Sequence, residues 1–110
     1  MATAEEFLAI DMRVGTVVTA APFPEARKPS IRLVIDFGSE IGEKRSSAQL
    51  TMHYTPETLI GRQVVAAVNL GTRRIAGFSS EVLVLGGMPT QNEVVLLAVE
   101  RPVANGTRIG

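Results

Sequence analysis

Ile31, Leu33, Ile35 and Phe37 alternate with Arg32, Val34 and Asp36. Side chains two residues apart share one face of a strand, so four large apolar groups fall on one side and Arg32, Val34 and Asp36 on the other. Such a stretch builds a half-buried strand and commits the chain to a sheet with one wet face. The flanks fit that commitment. Upstream, Met12, Val14, Thr16 and Val18 are expected on one face of a first strand, with Gly15 as its bulge or bend. Between the two strands, Pro22-Phe23-Pro24-Glu25-Ala26-Arg27-Lys28-Pro29-Ser30 reads as a loop, because prolines cannot serve a central ladder. Downstream, Gly38 to Gly42 turns the chain into a polar third strand, Glu43–Leu50. Its Lys44, Arg45, Ser46, Ser47 and Gln49 argue against burial on both faces.

The remaining elements follow from local signals. Thr55-Pro56-Glu57-Thr58-Leu59-Ile60-Gly61 predicts a short helix, with Thr55 as N-cap, Pro56 in the first position and Gly61 as stop. Gln63–Asn69 predicts a fourth strand, Gly71–Ser80 a long loop, Glu81–Leu85 a fifth strand and Glu93–Val99 a sixth. Asn105-Gly106 is a turn signal. At the start, Thr3 followed by Glu6 forms a capping box for a short helix, which Phe7 and Leu8 are expected to pin onto the sheet. Three strands, a short helix and two strands is the order of an all-β, five-stranded OB-fold barrel. Here the barrel carries an N-terminal helix and a C-terminal β extension. With 110 residues the chain supports one domain, 1–110. Its 45% hydrophobic content suffices for a core, and with only Phe7, Phe23, Phe37, Tyr54 and Phe78 as aromatics that core must be aliphatic.

Several function classes are excluded. No apolar stretch approaches the roughly 20 residues of a bilayer span, which argues against membrane insertion. Glu5 and Glu6 precede any Lys or Arg, unlike a secretory signal, and cysteine is absent; both favour a cytoplasmic location. His53 is the only histidine and has no partner at metal-ligand or triad spacing. No pair of carboxylates suits acid–base chemistry, and Gly86-Gly87-Met88-Pro89 is not a phosphate loop. Asn105-Gly106-Thr107 matches a glycosylation acceptor but reads as a turn. The expectation is a protein without catalysis, cofactor or metal.

Charge is unevenly distributed although the total is zero. Segment 1–43 is acidic, whereas 44–74 holds Lys44, Arg45, Arg62, Arg73 and Arg74 against Glu57 alone. A neutral protein can present one positive face to a polyanion. An OB-fold barrel binds through the outer face of strands two and three and through the loops after strands one and four. Those places hold Arg27 and Lys28, Arg32, the run Lys44-Arg45-Ser46-Ser47, and Arg73 with Arg74, Phe78 and Ser80. Arginine binds phosphate with two parallel donors and an aromatic ring can stack on an unpaired base. The ordinary alternatives are a solvated basic strand and a Phe78 that plugs the barrel end. Val94–Val99 lacks alternation, so both its faces are expected to be covered, by the N-terminal helix or by a second copy. Segment 86–110 is the expected interface of a homodimer.

Asp11-Met12-Arg13-Val14-Gly15, Phe23-Pro24-Glu25-Ala26-Arg27, Ser46-Ser47-Ala48-Gln49, Asn69-Leu70, Arg73 through Leu85 and Val103-Ala104-Asn105-Gly106-Thr107 closely resemble the CsaA family, from residue 6 onward. More distantly the chain is similar to the C-terminal tRNA-binding domain of methionyl-tRNA synthetase and to the EMAP II domain. The resemblance implies a homodimer that binds tRNA by shape and backbone. It further implies a chaperone role in protein export toward unfolded or preprotein chains, linked to the preprotein translocase ATPase. It carries RNA contact onto Lys44, Arg45, Ser46, Ser47, Asn69, Arg73, Arg74, Phe78, Ser80 and Glu81. Synthetase-type domains commonly have Gly-Met where this chain has Val82-Leu83, which favours the CsaA branch. The alternative function is a peptide-binding chaperone using apolar grooves near Phe23, Phe78 and the dimer seam, with RNA binding secondary.

Overall fold

The alternation over 31–37 is realised in full: Ile31, Leu33, Ile35 and Phe37 are each at most 2% exposed. The computed structural model describes residues 1–110. Their strand, β2 (Ile31–Asp36), lies between β1 (Met12–Pro22) and β3 (Glu43–Ala48) in an antiparallel sheet. On its other side β1 pairs with β4 (Gln63–Ala67), and β4 pairs with the short β7 (Leu83–Val84). The resulting order β3-β2-β1-β4-β7 curls into a nearly closed five-stranded barrel of OB-fold type.

Two devices finish the barrel. Residues 80–82 run along the free edge of β3. There the Glu81 backbone N–H donates to the Arg45 carbonyl at 2.8 Å, and the buried Ser46 hydroxyl donates to the Val82 carbonyl at 3.0 Å. The second device serves the start of β1, where β2 pairs only from Thr16 onward. Residues 106–109 fill that gap. Val14 N–H donates to Thr107 O at 2.9 Å, Gly106 N–H to Val14 O at 2.8 Å and Ile109 N–H to Met12 O at 2.9 Å. The approach is close: a Cβ on Gly106 would lie 2.6 Å from the Phe37 carbonyl oxygen, and Gly106 sits at φ +92°. A side chain there meets both a steric and a conformational barrier.

The central core cluster is aliphatic apart from Phe37. Val17, Leu33, Ile35, Leu50, Leu59, Val64 and Ala66 pack around it. Helix α2 (Pro56–Leu59) closes one end of the barrel, with Thr55 and Thr58 forming a reciprocal capping box and Leu59 fully buried. Burying one such leucine is worth about 1.5–3 kcal/mol.

Four sequence expectations need correction. The bulge of β1 lies between Val17 and Thr19, not at Gly15, so Val18 turns outward and is 41% exposed while Val17 joins the core. Gly15 instead permits close packing, since a Cβ there would sit 2.7 Å from Ile35 and Phe37. Helix α1 (Ala4–Ala9) has the expected Thr3–Glu6 box, but it is not pinned by Phe7 and Leu8, which are 44% and 54% exposed. Asn69 ties it down: its amide donates to Ala9 O and its carbonyl accepts from Asp11 N–H, both at 2.8 Å. Gly71–Ser80 contains a β-hairpin, β5 (Arg73–Ile75) and β6 (Phe78–Ser80). The extension is thinner than expected: only Val95–Leu96 (β9) pairs, with Gly86–Gly87 (β8), and Val95 and Leu97 are 45% and 49% exposed. Nothing in the single chain covers both faces of that segment.

Candidate nucleic-acid interface

The loop between β1 and β2 is fixed at its ends and open at its tip. Phe23 is buried and its N–H donates to Ser30 O at 3.2 Å, while the Ser30 hydroxyl donates to Lys28 O at 2.9 Å. Those bonds leave Arg27 and Lys28 exposed at the apex. The second basic element is the β5–β6 hairpin. Its register sets Arg73 opposite Ser80, Arg74 opposite Ser79 and Ile75 opposite Phe78. The two-residue turn has positive φ at Ala76 (48°) and Gly77 (81°). Consecutive positive φ values are the signature of a type I′ turn, whose twist suits a tight hairpin. Such a hairpin holds its side chains at fixed places, and Arg74 is held further by donating to the Ser79 hydroxyl at 2.9 Å.

Tip and hairpin face each other across a groove of about 1090 Å³. Arg27, Lys28, Arg73 and Arg74 line it together with Ser47, Gln49 and Glu25. Ile75, Leu85, Met88 and Val94 supply an apolar wall. None of the four cations lies within ion-pairing distance of a carboxylate; the chain's arginine ion pairs are Arg13 with Asp11 and Glu40, Arg45 with Glu81 and Arg101 with Glu100, while Glu93 meets the His53 ring. Uncompensated cations around one concavity produce a local positive field that the zero net charge conceals.

Beside the groove, the outer face of β2 and β3 carries Arg32 opposite Ser47 and Arg45 opposite Val34. The Arg32 guanidinium lies 5.2 Å from the centre of the Phe23 ring, and that of Arg45 5.6 Å from the centre of Phe78. The two rings meet edge to face at 5.5 Å.

Not every candidate sits at this surface. Ser46 is 1% exposed and faces the interior with its register partner Leu33, so its hydroxyl serves the Val82 carbonyl instead of an outside ligand. Lys44 shares that parity, away from Arg45 and Ser47. Ser80 is buried and accepts from Ser47 N–H at 3.0 Å; Glu81 accepts from Arg45 N–H at 3.0 Å. Asn69 is committed to helix α1. Phe23, a candidate for peptide contact, is 3% exposed and available only through its neighbours. Conversely, Gln91 and Asn92 line the groove without having been singled out in the sequence, and Gln49, marked only by the family resemblance and as a polar strand residue, joins them. Lone amides in polar loops carry no pattern that would have marked them.

Elsewhere the polar groups look inward. Arg13 donates to Asp11 at 2.7 Å and to Gly106 O at 3.0 Å. The hydrogen bond from Arg13, reinforced by the charges of Arg13 and Arg108, holds the Asp11 carboxyl below the usual range, with burial opposing. No group of three or more His, Cys, Asp or Glu is gathered for a metal, and no helix is long and apolar enough to cross a membrane.

Residues 12–108 match the family described as "Putative tRNA binding domain". The crystal structure of the chaperone CsaA from Bacillus anthracis superposes with a TM-score of 0.95 at 57% identity, covering 100% of this chain and 99% of that one. The CsaA chaperone protein of Picrophilus torridus gives 0.91 at 42%, with both chains fully covered. The chain belongs to the tRNA-binding domain family, on its CsaA branch. Methionine–tRNA ligase of Porphyromonas gingivalis is 33% identical over 105 residues, 96% of this chain. This chain spans about 15% of the length of that ligase. The tRNA-binding domain family is a binding family, not a catalytic one, and its matched span includes every residue of the groove.

Proposed function

We propose that residues 1–110 act as one cytoplasmic tRNA-binding unit that grips the RNA backbone with Arg27, Lys28, Arg73 and Arg74 in the groove and Arg32, Arg45 and Ser47 on the adjoining face. One observation carries this reading: cations far apart in sequence line a single groove with no carboxylate partner. Family membership supports the choice of tRNA among polyanions. Phosphate binding displaces condensed counterions, so with four to six contacts the log–log dependence of affinity on salt should have a slope of roughly −4 to −5. A filter-binding titration of total tRNA over a salt series tests it; a flat salt dependence would sink the proposal.

The same reading includes a homodimer. Leu83, Met88, Val95 and Leu97 are about half exposed or more along β7–β9, and an exposed apolar patch on a short, open edge favours a two-fold contact. Sedimentation at micromolar concentration should then give twice the chain mass of 11.8 kDa. A second role, as an export chaperone for unfolded or preprotein chains delivered toward the translocase ATPase, is favoured by the apolar wall of the groove and by the chaperone names of its structural neighbours. Suppression of client aggregation should in that case be insensitive to salt and compete with tRNA for the groove.

A further inference from the structure

Arg32, Phe23, Phe78 and Arg45 form one row, cation, ring, ring, cation, drawn from β2, the β1–β2 loop, the β5–β6 hairpin and β3. Both guanidiniums belong to the outer face of the sheet, on diagonal positions of the β2–β3 register. Each ring therefore has a guanidinium over one face, and the rings meet each other edge to face, so the pair is engaged on both sides. Phe23 is 3% exposed, too enclosed to meet a base at all. The Arg32 Nε is buried with no hydrogen-bond partner, so the ring of Phe23 is the favourable electrostatic neighbour on this side of the guanidinium. On Arg45, Glu81 approaches the Nε edge at 3.6 Å and the same carboxylate accepts from the Arg45 backbone, which fixes the base of the side chain while half of it stays exposed.

We propose that Phe23 and Phe78 are positioning residues: as a rigid pair they hold Arg32 and Arg45 at a set spacing for phosphates of the RNA backbone, and neither ring takes a base. The proposal rests on the reading that this face meets RNA. It specifies that reading further: the preferred ligand is a paired stem, with unpaired bases dispensable. Arginine suits the role because its flat fork covers a ring on one face and keeps its edge donors for an anion.

A double-mutant cycle tests it, with affinity for a blunt RNA stem-loop read by titration. Phe78→Leu should weaken binding about two- to five-fold, the usual worth of an exposed cation–π contact. In the Arg45→Ala background the same change should cost nothing more, and Phe78→Tyr should restore binding. Additive losses, or no loss with Phe78→Leu, overturn the proposal. A second measurement needs no variant: in the wild-type chain the Arg45 side-chain N–H resonance should carry an upfield ring-current shift and move on adding RNA. Cross-relaxation between Phe78 ring protons and RNA bases would overturn the assignment. If Arg73→Ala/Arg74→Ala leaves tRNA affinity intact, the underlying RNA reading fails instead, and the two failures are distinguishable.

Discussion

Arg13 and Arg74 are both strand arginines, yet they occupy opposite electrostatic situations. Arg13 is 16% exposed, meets Asp11 at 2.7 and 3.3 Å, reaches Glu40 at 3.9 Å and donates to the Gly106 carbonyl. Arg74 has one bond, to a serine hydroxyl, and no carboxylate. A guanidinium carries five donors. Arg13 spends most of them joining residues 11, 13 and 106, whereas Arg74 keeps most of its own for something outside the chain. The same side chain is a fold element at one place and a binding element at the other, and the count of satisfied donors separates the two.

That contrast can be broken most directly at the groove. Replacing Arg73 and Arg74 together by Ala should lower tRNA affinity ten- to a hundred-fold, while unfolding free energy stays within about 0.5 kcal/mol of wild type, as for exposed positions whose one side-chain bond is to the Ser79 hydroxyl. Gel-shift titration beside urea denaturation checks both halves; a large stability loss would mean that these arginines also belong to the fold. The mirror-image change is Asn105→Ala. The Asn105 side-chain Oδ1 accepts from the Thr16 hydroxyl at 2.8 Å and the Gln63 amide at 3.1 Å. Leaving the half-buried Thr16 hydroxyl without its acceptor, and the Gln63 amide with Val103 O alone, should cost about 1–3 kcal/mol of stability with tRNA affinity unchanged. Weakened binding in a folded N105A chain would erase the division between the two regions.

A smaller effect is expected at the hairpin turn. Ala76 holds φ 48°, a region that penalises any Cβ. Ala76→Gly should remove strain of about 1 kcal/mol, offset in part by glycine's greater freedom in the unfolded chain. Calorimetry should show a small rise in midpoint or none, and a clear fall would contradict the strain. The smallest effect concerns pH. Arg13 holds the Asp11 carboxyl below its ordinary value in the folded state. A depressed carboxylate contributes stability that is full above the unfolded value and fades as pH falls through the folded one. Wild type should therefore lose stability on acidification below about pH 4 more steeply than Asp11→Asn, in thermal melts across that range. Identical acid profiles would remove the pair from the account.

Much of the barrel was legible because β1, β2 and α2 are long or punctuated enough to show a period or a cap. Ile31 to Phe37 needs no partner to declare its inner face, and Thr55-Pro56 marks a helix start by itself. The hairpin at 73–80 was hidden because three-residue strands cannot display a period, and its Ala76-Gly77 turn lacks the Asn or Asp that usually announces one. At the site, the loop position of Arg27 and Lys28 was readable from the prolines around them, whereas Arg73 and Arg74, expected in a loop, lie on β5. The facing of β3 was not readable. Ser46 and Ser47 are chemically alike, and only the register that sets Ser46 beside Leu33 decides which one points inward. The cover for Val95 and Leu97 was invisible for another reason: a single chain contains no atoms that bury them.

The four residues that complete the opening strand also set a timetable for synthesis. Met12 and Val14 are translated well before the backbone groups that satisfy them, which belong to Gly106, Thr107 and Ile109. Until those residues emerge, a growing chain exposes an unpaired strand margin to its neighbours. Contacts so distant in sequence are slow to form and leave partly made sheets open to mispairing. A nascent copy stalled before residue 106 would be a template for aggregation, even with every core residue already translated.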